Sequence, residues 1–194
     1  RTEALHQTLP PNVLFHNEKE QRKSGIRGDY FNGIDLQDAP MLSRIDERID
    51  FQWTLFSPDP RIAFDHFAVR WEGMIVPDSS GTWHIGIEGN DGYRLFMNNA
   101  LVIDRWDDQG FGTKMIPFKF EKDVPCELRI EYRERVGNSR FKLIWDRNVR
   151  HDLRDARVQR AVDLMRTCDV AIVVAGIEEG EFRDRSSLKL PGRQ

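Results

Sequence analysis

The stretch Phe67-Ala-Val-Arg-Trp-Glu72 alternates large apolar residues with small or charged ones at a period of two. A strand with this period buries one face and exposes the other to solvent, as strands of antiparallel sandwiches do. The same alternation recurs in Trp83-His-Ile-Gly-Ile-Glu88, Leu128-Arg-Ile-Glu-Tyr-Arg133 and Phe141-Lys-Leu-Ile-Trp145. The sequence therefore predicts a mainly β protein built on an antiparallel β-sandwich.

Short runs of turn-forming residues separate these strands. They are Pro77-Asp-Ser-Ser-Gly81, Asn90-Asp-Gly92, Asn98-Asn99 and Gly137-Asn138. Asn and Gly tolerate a positive φ angle, which tight hairpins require. We place the sandwich at residues 25–150.

The residues before the sandwich have a different pattern. Residues 2–9 carry Leu5 and Leu9 at helical spacing, and Pro10-Pro11 would end such a helix. Asn12-Val-Leu-Phe15 is typical of a short buried strand, and the polar run 17–24 is typical of a linker. We therefore predict that residues 1–24 are part of a second domain.

The residues after the sandwich change period again. Residues 155–167 place apolar side chains on one face of a helix, and Val170-Ala-Ile-Val-Val-Ala175 is a continuous apolar run. Such a run is typical of a strand buried on both faces of a parallel sheet. We predict that the sandwich is inserted in a partial, doubly wound α/β domain, which continues at residues 151–194.

Composition excludes several classes of partner. The 194 residues are 39% hydrophobic and 31% charged, with a formal net charge of −3. We therefore expect neither nucleic acid nor an anionic membrane as a partner, and no apolar run approaches the roughly 20 residues of a membrane helix. The two cysteines, Cys126 and Cys168, fall in different predicted domains, so we expect both to be unpaired. The compartment stays open, with a periplasmic or secreted location preferred over a cytoplasmic one.

The C-terminal residues carry a motif. After the strand Ala171-Ile-Val-Val-Ala-Gly176 come Glu181-Phe-Arg-Asp-Arg185 and Leu188-Lys-Leu-Pro-Gly-Arg-Gln194. This order and spacing resemble the C-terminal α/β domain of glycoside hydrolase family 3. The resemblance implies a retaining exo-β-glycosidase, a β-glucosidase in preference to a β-xylosidase. Glu181 matches the acid/base position, and the Asp nucleophile would lie on a (β/α)₈ barrel that this chain lacks.

Four pieces of the predicted sandwich also match a known pattern. They are Gly28-Asp-Tyr-Phe31, Phe67-Ala-Val-Arg-Trp-Glu-Gly73, Ser80-Gly-Thr-Trp83 and Gly89-Asn-Asp-Gly-Tyr-Arg-Leu95. Their order resembles the β-sandwich domain named after the anthrax protective antigen. That domain is inserted in some β-glucosidases of family 3 and is also present in adhesins, so the resemblance implies a surface that faces sugar.

Three sandwich residues are candidates for contact with sugar. Asn90 and Asp91 stand where related adhesins carry two adjacent Asp residues that bind calcium and sugar. Asn90 removes one carboxylate, so we predict no metal and no cofactor, and a simple hairpin turn is the alternative interpretation. Trp106 offers an aromatic face beside charged neighbours, in either a core or a rim position.

Three further candidates follow Glu181. Arg183 would point at sugar or at solvent, and Asp184 with Arg185 would either bind substrate or form an ion pair that shapes the loop. The predicted partners are β-linked glucosides or oligosaccharides and the barrel domain of the same polypeptide. The isolated chain should be inactive, because a retaining glycosidase needs both carboxyl groups. A stand-alone carbohydrate-binding module and a purely structural insertion are the alternatives.

Overall fold

The computed structural model describes residues 6–53, 56–107, 110–147, 159–170 and 172. The chain divides into two compact units. One unit is His6–Arg147, and the other combines Arg1–Leu5 with Asn148–Gln194.

The first unit contains thirteen strands and one short 3-10 turn, Pro11–Val13, among its described residues. The strands are β1 (Gln7–Thr8), β2 (Leu14–Glu18), β3 (Gln21–Ser24), β4 (Ile26–Asn32), β5 (Leu42–Asp46), β6 (Asp50–Gln52), β7 (Phe67–Ile75), β8 (Gly81–Gly89), β9 (Gly92–Met97), β10 (Ala100–Arg105), β11 (Gly112–Phe120), β12 (Cys126–Glu134) and β13 (Arg140–Trp145).

The strands form two sheets in which every pairing is antiparallel. The five-stranded sheet has the order β1-β13-β8-β11, and β6 also pairs with β13. The eight-stranded sheet has the order β10-β9-β12-β7-β2-β3, and β4 pairs with both β7 and β5. The predicted mainly β fold, an antiparallel sandwich, is confirmed.

The inner faces of the two sheets form one hydrophobic core. The period of two places every second residue of a strand on this face, as the sequence predicts. The buried inner-face residues of four strands are Phe67, Val69 and Trp71 of β7, Leu128, Ile130 and Tyr132 of β12, Ile85 and Ile87 of β8, and Phe141, Leu143 and Trp145 of β13.

Aromatic rings join the sheets at the centre of this core. Trp71 stacks on Phe141 of the opposite sheet, with ring centroids 5.3 Å apart and an interplanar angle of 13°. Tyr132 packs on the same phenylalanine at 4.5 Å. Trp53 and Trp145 are also buried, whereas Trp83 is partly buried against the core.

A buried carboxylate, Asp46, ties one hairpin to this core. It accepts hydrogen bonds from Trp71 Nε1 (2.8 Å) and Tyr30 Oη (2.6 Å), and Arg44 Nε donates to its other oxygen at 2.8 Å. A buried charge needs such partners, because its desolvation is costly. Gly28 makes room for the network, since an added Cβ would lie 2.7 Å from Asp46 Oδ2.

The N-terminal predictions are partly wrong. Residues 1–5 of the predicted helix lie outside the described residues, and Gln7 and Thr8 form a strand that pairs with Trp145 and Ile144. Leu9 is buried because it joins the sandwich core, so long-range pairing overrides the local helical spacing.

The predicted linker is also wrong. Residues 17–24 belong to the β2–β3 hairpin, whose turn has positive φ at Lys19 and Glu20. The hairpin is polar because its strand β3 is exposed throughout. The strand predicted at 12–15 is displaced to Leu14–Glu18 and pairs within the sandwich.

The second unit is described at residues 159–170 and 172. Residues 159–165 are helical, within the helix predicted at 155–167. Most of the strand predicted at 170–175 lies outside the described residues. No helix among the described residues is long and apolar enough to cross a membrane. Both cysteines, buried Cys126 and exposed Cys168, are free as predicted.

The Asp46 network gives a first prediction. Asp46→Ala leaves buried donors on Trp71 and Tyr30 without their acceptor and removes the carboxylate that pairs with Arg44, so we expect the free energy of unfolding to fall by about 3 kcal/mol or more. Urea denaturation measures this change. Asp38→Ala, at an exposed position of the β4–β5 loop, is the control and should change stability by less than about 0.5 kcal/mol. Equal stability of the two variants would contradict the assigned role of Asp46.

Candidate functional site

One end of the sandwich collects the three sugar-contact residues predicted within it. The strand registers place the last residues of β4, β8, β10 and β12 beside the first residues of β7, β9, β11 and β13. We call this end, formed by the connecting segments, the loop end. Its described segments are 33–41, 56–66, 90–91, 106–107 with 110–111, and 135–139.

Asn90 and Asp91 form the two-residue turn between β8 and β9, and Asp91 has a φ of 58°. The turn predicted from the sequence is therefore present. Unlike an ordinary exposed turn, both residues are buried, at 8% and 4% exposure. The side-chain oxygen Oδ1 of Asn90 is buried without a hydrogen-bond partner among the described residues.

Burial raises the pKa of Asp91 to about 7. A hydrogen bond from the backbone N–H of Arg135 and the positive charges of Arg135 and Arg133 act in the opposite direction. Asp65 adds a negative charge that raises the pKa further. Desolvation outweighs the two arginines, so this carboxyl group binds a proton close to neutral pH.

A second acid, Glu134, lies at the adjoining end of β12 and is fully buried. Burial raises the pKa of Glu134 to about 8, and the negative charges of Asp91 and Asp65 contribute. Its Oε2 accepts the backbone N–H of His66 at 3.1 Å, while Oε1 has no hydrogen-bond partner among the described residues. Two carboxyl groups of the loop end therefore titrate close to neutrality.

Trp106 lies at the rim of the loop end and is half-buried. The guanidinium groups of Arg133 and Arg94 lie 4.4 and 4.7 Å from its ring centroid. Its backbone is held too, because Arg133 Nη2 donates to the Trp106 carbonyl at 2.5 Å and the Trp106 N–H donates to Asp104 at 3.0 Å. Of the two predicted positions, core and rim, the structure selects the rim.

Gly92 brings the turn and the tryptophan together. An added Cβ at this residue would lie 2.2 Å from the Trp106 carbonyl oxygen and 2.7 Å from Arg133 Nε. The structure thus places Asn90, Asp91 and Trp106 at the same end. The other predicted site residues, Glu181, Arg183, Asp184 and Arg185, lie outside the described residues.

Sequence reasoning missed the residues that support this site. Arg94 and Arg133 lie on the outer face of the eight-stranded sheet, and Glu134 follows at the end of β12. The period of two does place both arginines outward. Nothing in the sequence shows that they stack on Trp106, because other strands lie between that loop and both β9 and β12 along the chain.

The calcium site of related adhesins does not fit the residues found here. Asn90 replaces one carboxylate, and the described residues contain no cluster of three or more His, Cys, Asp or Glu side chains with metal-binding geometry.

The loop end also exposes apolar side chains. Met41, Phe56, Phe64 and Val136 come from three different loops and are between 48% and 69% exposed. Apolar residues that share one end of a domain and remain accessible are typical of a surface that meets another molecule or domain.

Comparisons with known proteins point to one family. The family model described as PA14 domain matches residues 22–152. The anti-sigma-I factor RsgI3 of Acetivibrio thermocellus is 34% identical over 138 residues, covering 71% of this chain and 21% of that protein. A β-glucosidase of Rhizobium radiobacter is 26% identical over 183 residues, covering 86% of this chain and 22% of that protein.

A solved structure agrees with the family match. An anti-sigma factor domain-containing protein from Clostridium clariflavum is 38% identical, with a TM-score of 0.58, and the match covers 62% of this chain and 41% of that one. The chain spans about a fifth of the length of the two curated relatives.

The two buried acids predict a pH-dependent stability. Their raised pKa values mean that, between about pH 4 and pH 8, the folded protein binds more protons than the unfolded chain. The free energy of unfolding should therefore fall as pH rises through this range, by roughly 2–4 kcal/mol. Urea denaturation at pH 5 and pH 8 measures the fall. The double variant Asp91→Asn, Glu134→Gln removes both titrating groups and should lose most of the pH dependence. If its stability falls with pH as steeply as that of the unchanged chain, the two acids are not the cause.

Proposed function

The chain belongs to the PA14 domain family, and on that premise we propose that the loop end of its sandwich binds carbohydrate. The observation that carries this proposal is the placement of Trp106 at the rim, beside the buried Asn90-Asp91 turn. An aromatic ring packs against the C–H face of a sugar, and neighbouring polar groups bind its hydroxyl groups.

Hydrogen bonds from Arg133 support the loop that carries Trp106. Arg133 holds the tryptophan loop through its backbone carbonyl and also donates to Asp107 at 2.9 Å. This arginine belongs to β12 and is itself buried, so its hydrogen bonds attach the loop to that strand. A ring whose position is fixed in advance loses less conformational entropy when a ligand binds.

We further propose that the chain is part of a retaining exo-β-glycosidase of glycoside hydrolase family 3, with β-linked glucosides as substrates. The similarity to the β-glucosidase supports this proposal, because it covers 86% of the chain whereas residues 22–152 are only about two thirds of it. It therefore includes flanking residues, and the flank after the sandwich carries the motif Glu181-Phe-Arg-Asp-Arg185. The flanks would belong to the α/β domain into which the sandwich is inserted.

In this proposal Glu181 is the acid/base residue and a separate barrel supplies the nucleophile. The acid would give its proton to the glycosidic oxygen as the nucleophile attacks the anomeric carbon, and would then take a proton from the water that releases the sugar. Arg183, Asp184 and Arg185 would shape the loop or contact the substrate. The exposed apolar residues of the loop end fit a surface that lines the entrance for the substrate. The periplasmic or secreted location stays a prediction.

A binding module in a parent that is not a glycosidase is the second candidate. It is favoured by the similarity to the anti-sigma-I factor, which is higher in identity than the similarity to the β-glucosidase. The loop end would then bind carbohydrate without any catalytic partner.

Binding at the loop end is tested with Trp106→Ala. We expect its affinity for a β-linked gluco- or xylo-oligosaccharide to fall at least about tenfold, because the stacking surface is lost. Isothermal titration calorimetry on the chain measures the affinity. Val124→Ala removes an exposed apolar side chain at the opposite end of the sandwich and should bind as the unchanged chain does. Equal affinity of Trp106→Ala and the unchanged chain would exclude a stacking role for this tryptophan.

Catalysis is tested on the intact parent polypeptide with Glu181→Gln. Loss of the acid should lower the hydrolysis of an aryl β-glucoside at least about 100-fold, and added azide should restore turnover, since azide attacks the glycosyl-enzyme without needing a general base. Glu179→Gln, two residues earlier in the chain, is the matched control and should remain active.

An active parent with an unaffected Glu181→Gln variant would place the catalytic acid elsewhere. A parent that hydrolyses neither aryl β-glucosides nor aryl β-xylosides would overturn the enzyme proposal and leave the binding module.

A further inference from the structure

The outer face of the eight-stranded sheet carries a concavity of about 320 Å³ towards the end opposite the loop end. It lies where β7 and β12 run beside the β2–β3 hairpin and the β9–β10 turn. We call it the outer-face groove. Its lining residues are His16, Asn17, Arg27, Glu72, Gly73, Met74, Asn99, Glu127, Leu128 and Arg129.

The groove is built from fixed parts of the sheet. Its floor includes Gly73, where an added Cβ would lie 2.4 Å from the Phe15 carbonyl oxygen, so only glycine permits this approach of β2 to β7. One rim is fixed because Asn99, at a φ of 62°, donates to Glu127 Oε2 at 2.6 Å. The Glu127 carboxylate is thereby hydrogen-bonded at the edge of the groove.

His16 supplies a buried polar group with a free atom. Its side chain is only 9% exposed, and Nδ1 donates to the Gly25 carbonyl at 3.0 Å, because a carbonyl oxygen can only accept. Nε2 has no hydrogen-bond partner among the described residues. In the neutral ring this nitrogen accepts a hydrogen bond, so it can bind a hydroxyl group in the groove.

The charges of the lining cancel. Arg27 and Arg129 oppose Glu72 and Glu127, so the formal charge of the four side chains is zero. Arg129 Nη1 lies 3.2 Å from Glu131 Oε1, which leaves further N–H groups of this guanidinium for a ligand. Glu72 forms no ion pair within the described part of the chain, although Arg27 is its cross-strand neighbour. Arg27 donates to Asp29 through Nε at 3.1 Å and keeps its terminal N–H groups, so donors and acceptors line the same small space.

This lining selects a class of ligand. An anion would meet two carboxylates and a cation two guanidinium groups, so a neutral ligand is favoured. Ligand sites usually occupy roughly 300–1,000 Å³, and the groove is at the lower limit, which suits a single ring. A hydroxyl group both donates and accepts, and so matches the mixture of carboxylate, guanidinium, amide and imidazole groups.

We propose that the outer-face groove binds one pyranose ring of a neutral saccharide, as a second sugar site separate from the loop end. The proposal shares its ligand class with the proposed function but uses none of its residues. A saccharide chain bound at both places would gain avidity, because the second contact becomes intramolecular.

The test is a titration of the isotopically labelled chain with methyl β-D-glucopyranoside, followed by NMR of the backbone amides. We expect saturable shifts at Asn17, Gly73 and Asn99. Glu72→Gln and Asn17→Ala should each weaken binding about tenfold, and both should keep the melting temperature, since these side chains are exposed. Glu121→Gln, at an exposed acid beyond the end of β11, is the matched control and should bind normally.

The positions of the shifts separate this proposal from the one for the loop end. Saturable shifts at Asn90 and Gly92 alone would overturn the second site and leave the loop end intact. Shifts in the groove alone would support the second site and count against the loop end. No saturable shift at the groove amides, or equal affinity of Glu72→Gln and the control, would overturn the proposal.

Discussion

The stacking of Trp71 on Phe141 is the contact on which the rest of the sandwich depends. It joins the central strand β7 of one sheet to β13 of the other, at the middle of the core. The same indole donates to Asp46, so the β4–β5 hairpin is fixed by the residue that fixes the sheets. A hydrogen bond is directional, so the bond from Trp71 to Asp46 fixes the orientation of the hairpin relative to β7 as well as its distance from that strand.

The site follows from this core because strand register decides what meets at the loop end. β12 lies between β7 and β9, and its last residues bring Arg133 and Glu134 beside the β8–β9 turn. Asp91 and Glu134 are then desolvated together, which raises both pKa values. Protonation lets the fold keep two acids in a small space without two unpaired charges, at a cost that grows as pH rises.

The sequence predicts the elements whose signal is local. Strands such as β7 and β12 bury every second residue, and the turns at Asn98-Asn99 and Gly137 have the positive φ angles expected. It does not predict elements that depend on distant partners. β1 pairs with residues about 140 positions later, and the β2–β3 hairpin has the polarity of a linker because solvent surrounds it. The rim position of Trp106 likewise depends on Arg94 and Arg133, whose contacts only the sheet creates.

The two boundaries of the sandwich unit lie at the same end of it. The unit begins at His6 and ends at Arg147, and β1 pairs with the last residues of β13, so both boundaries lie at the end opposite the loop end. Arg147 closes this end, since its guanidinium lies 5.0 and 5.3 Å from the rings of Trp83 and Trp145. The loop end is thus away from both boundaries of a sandwich that is similar to parts of both an anti-sigma-I factor and a β-glucosidase.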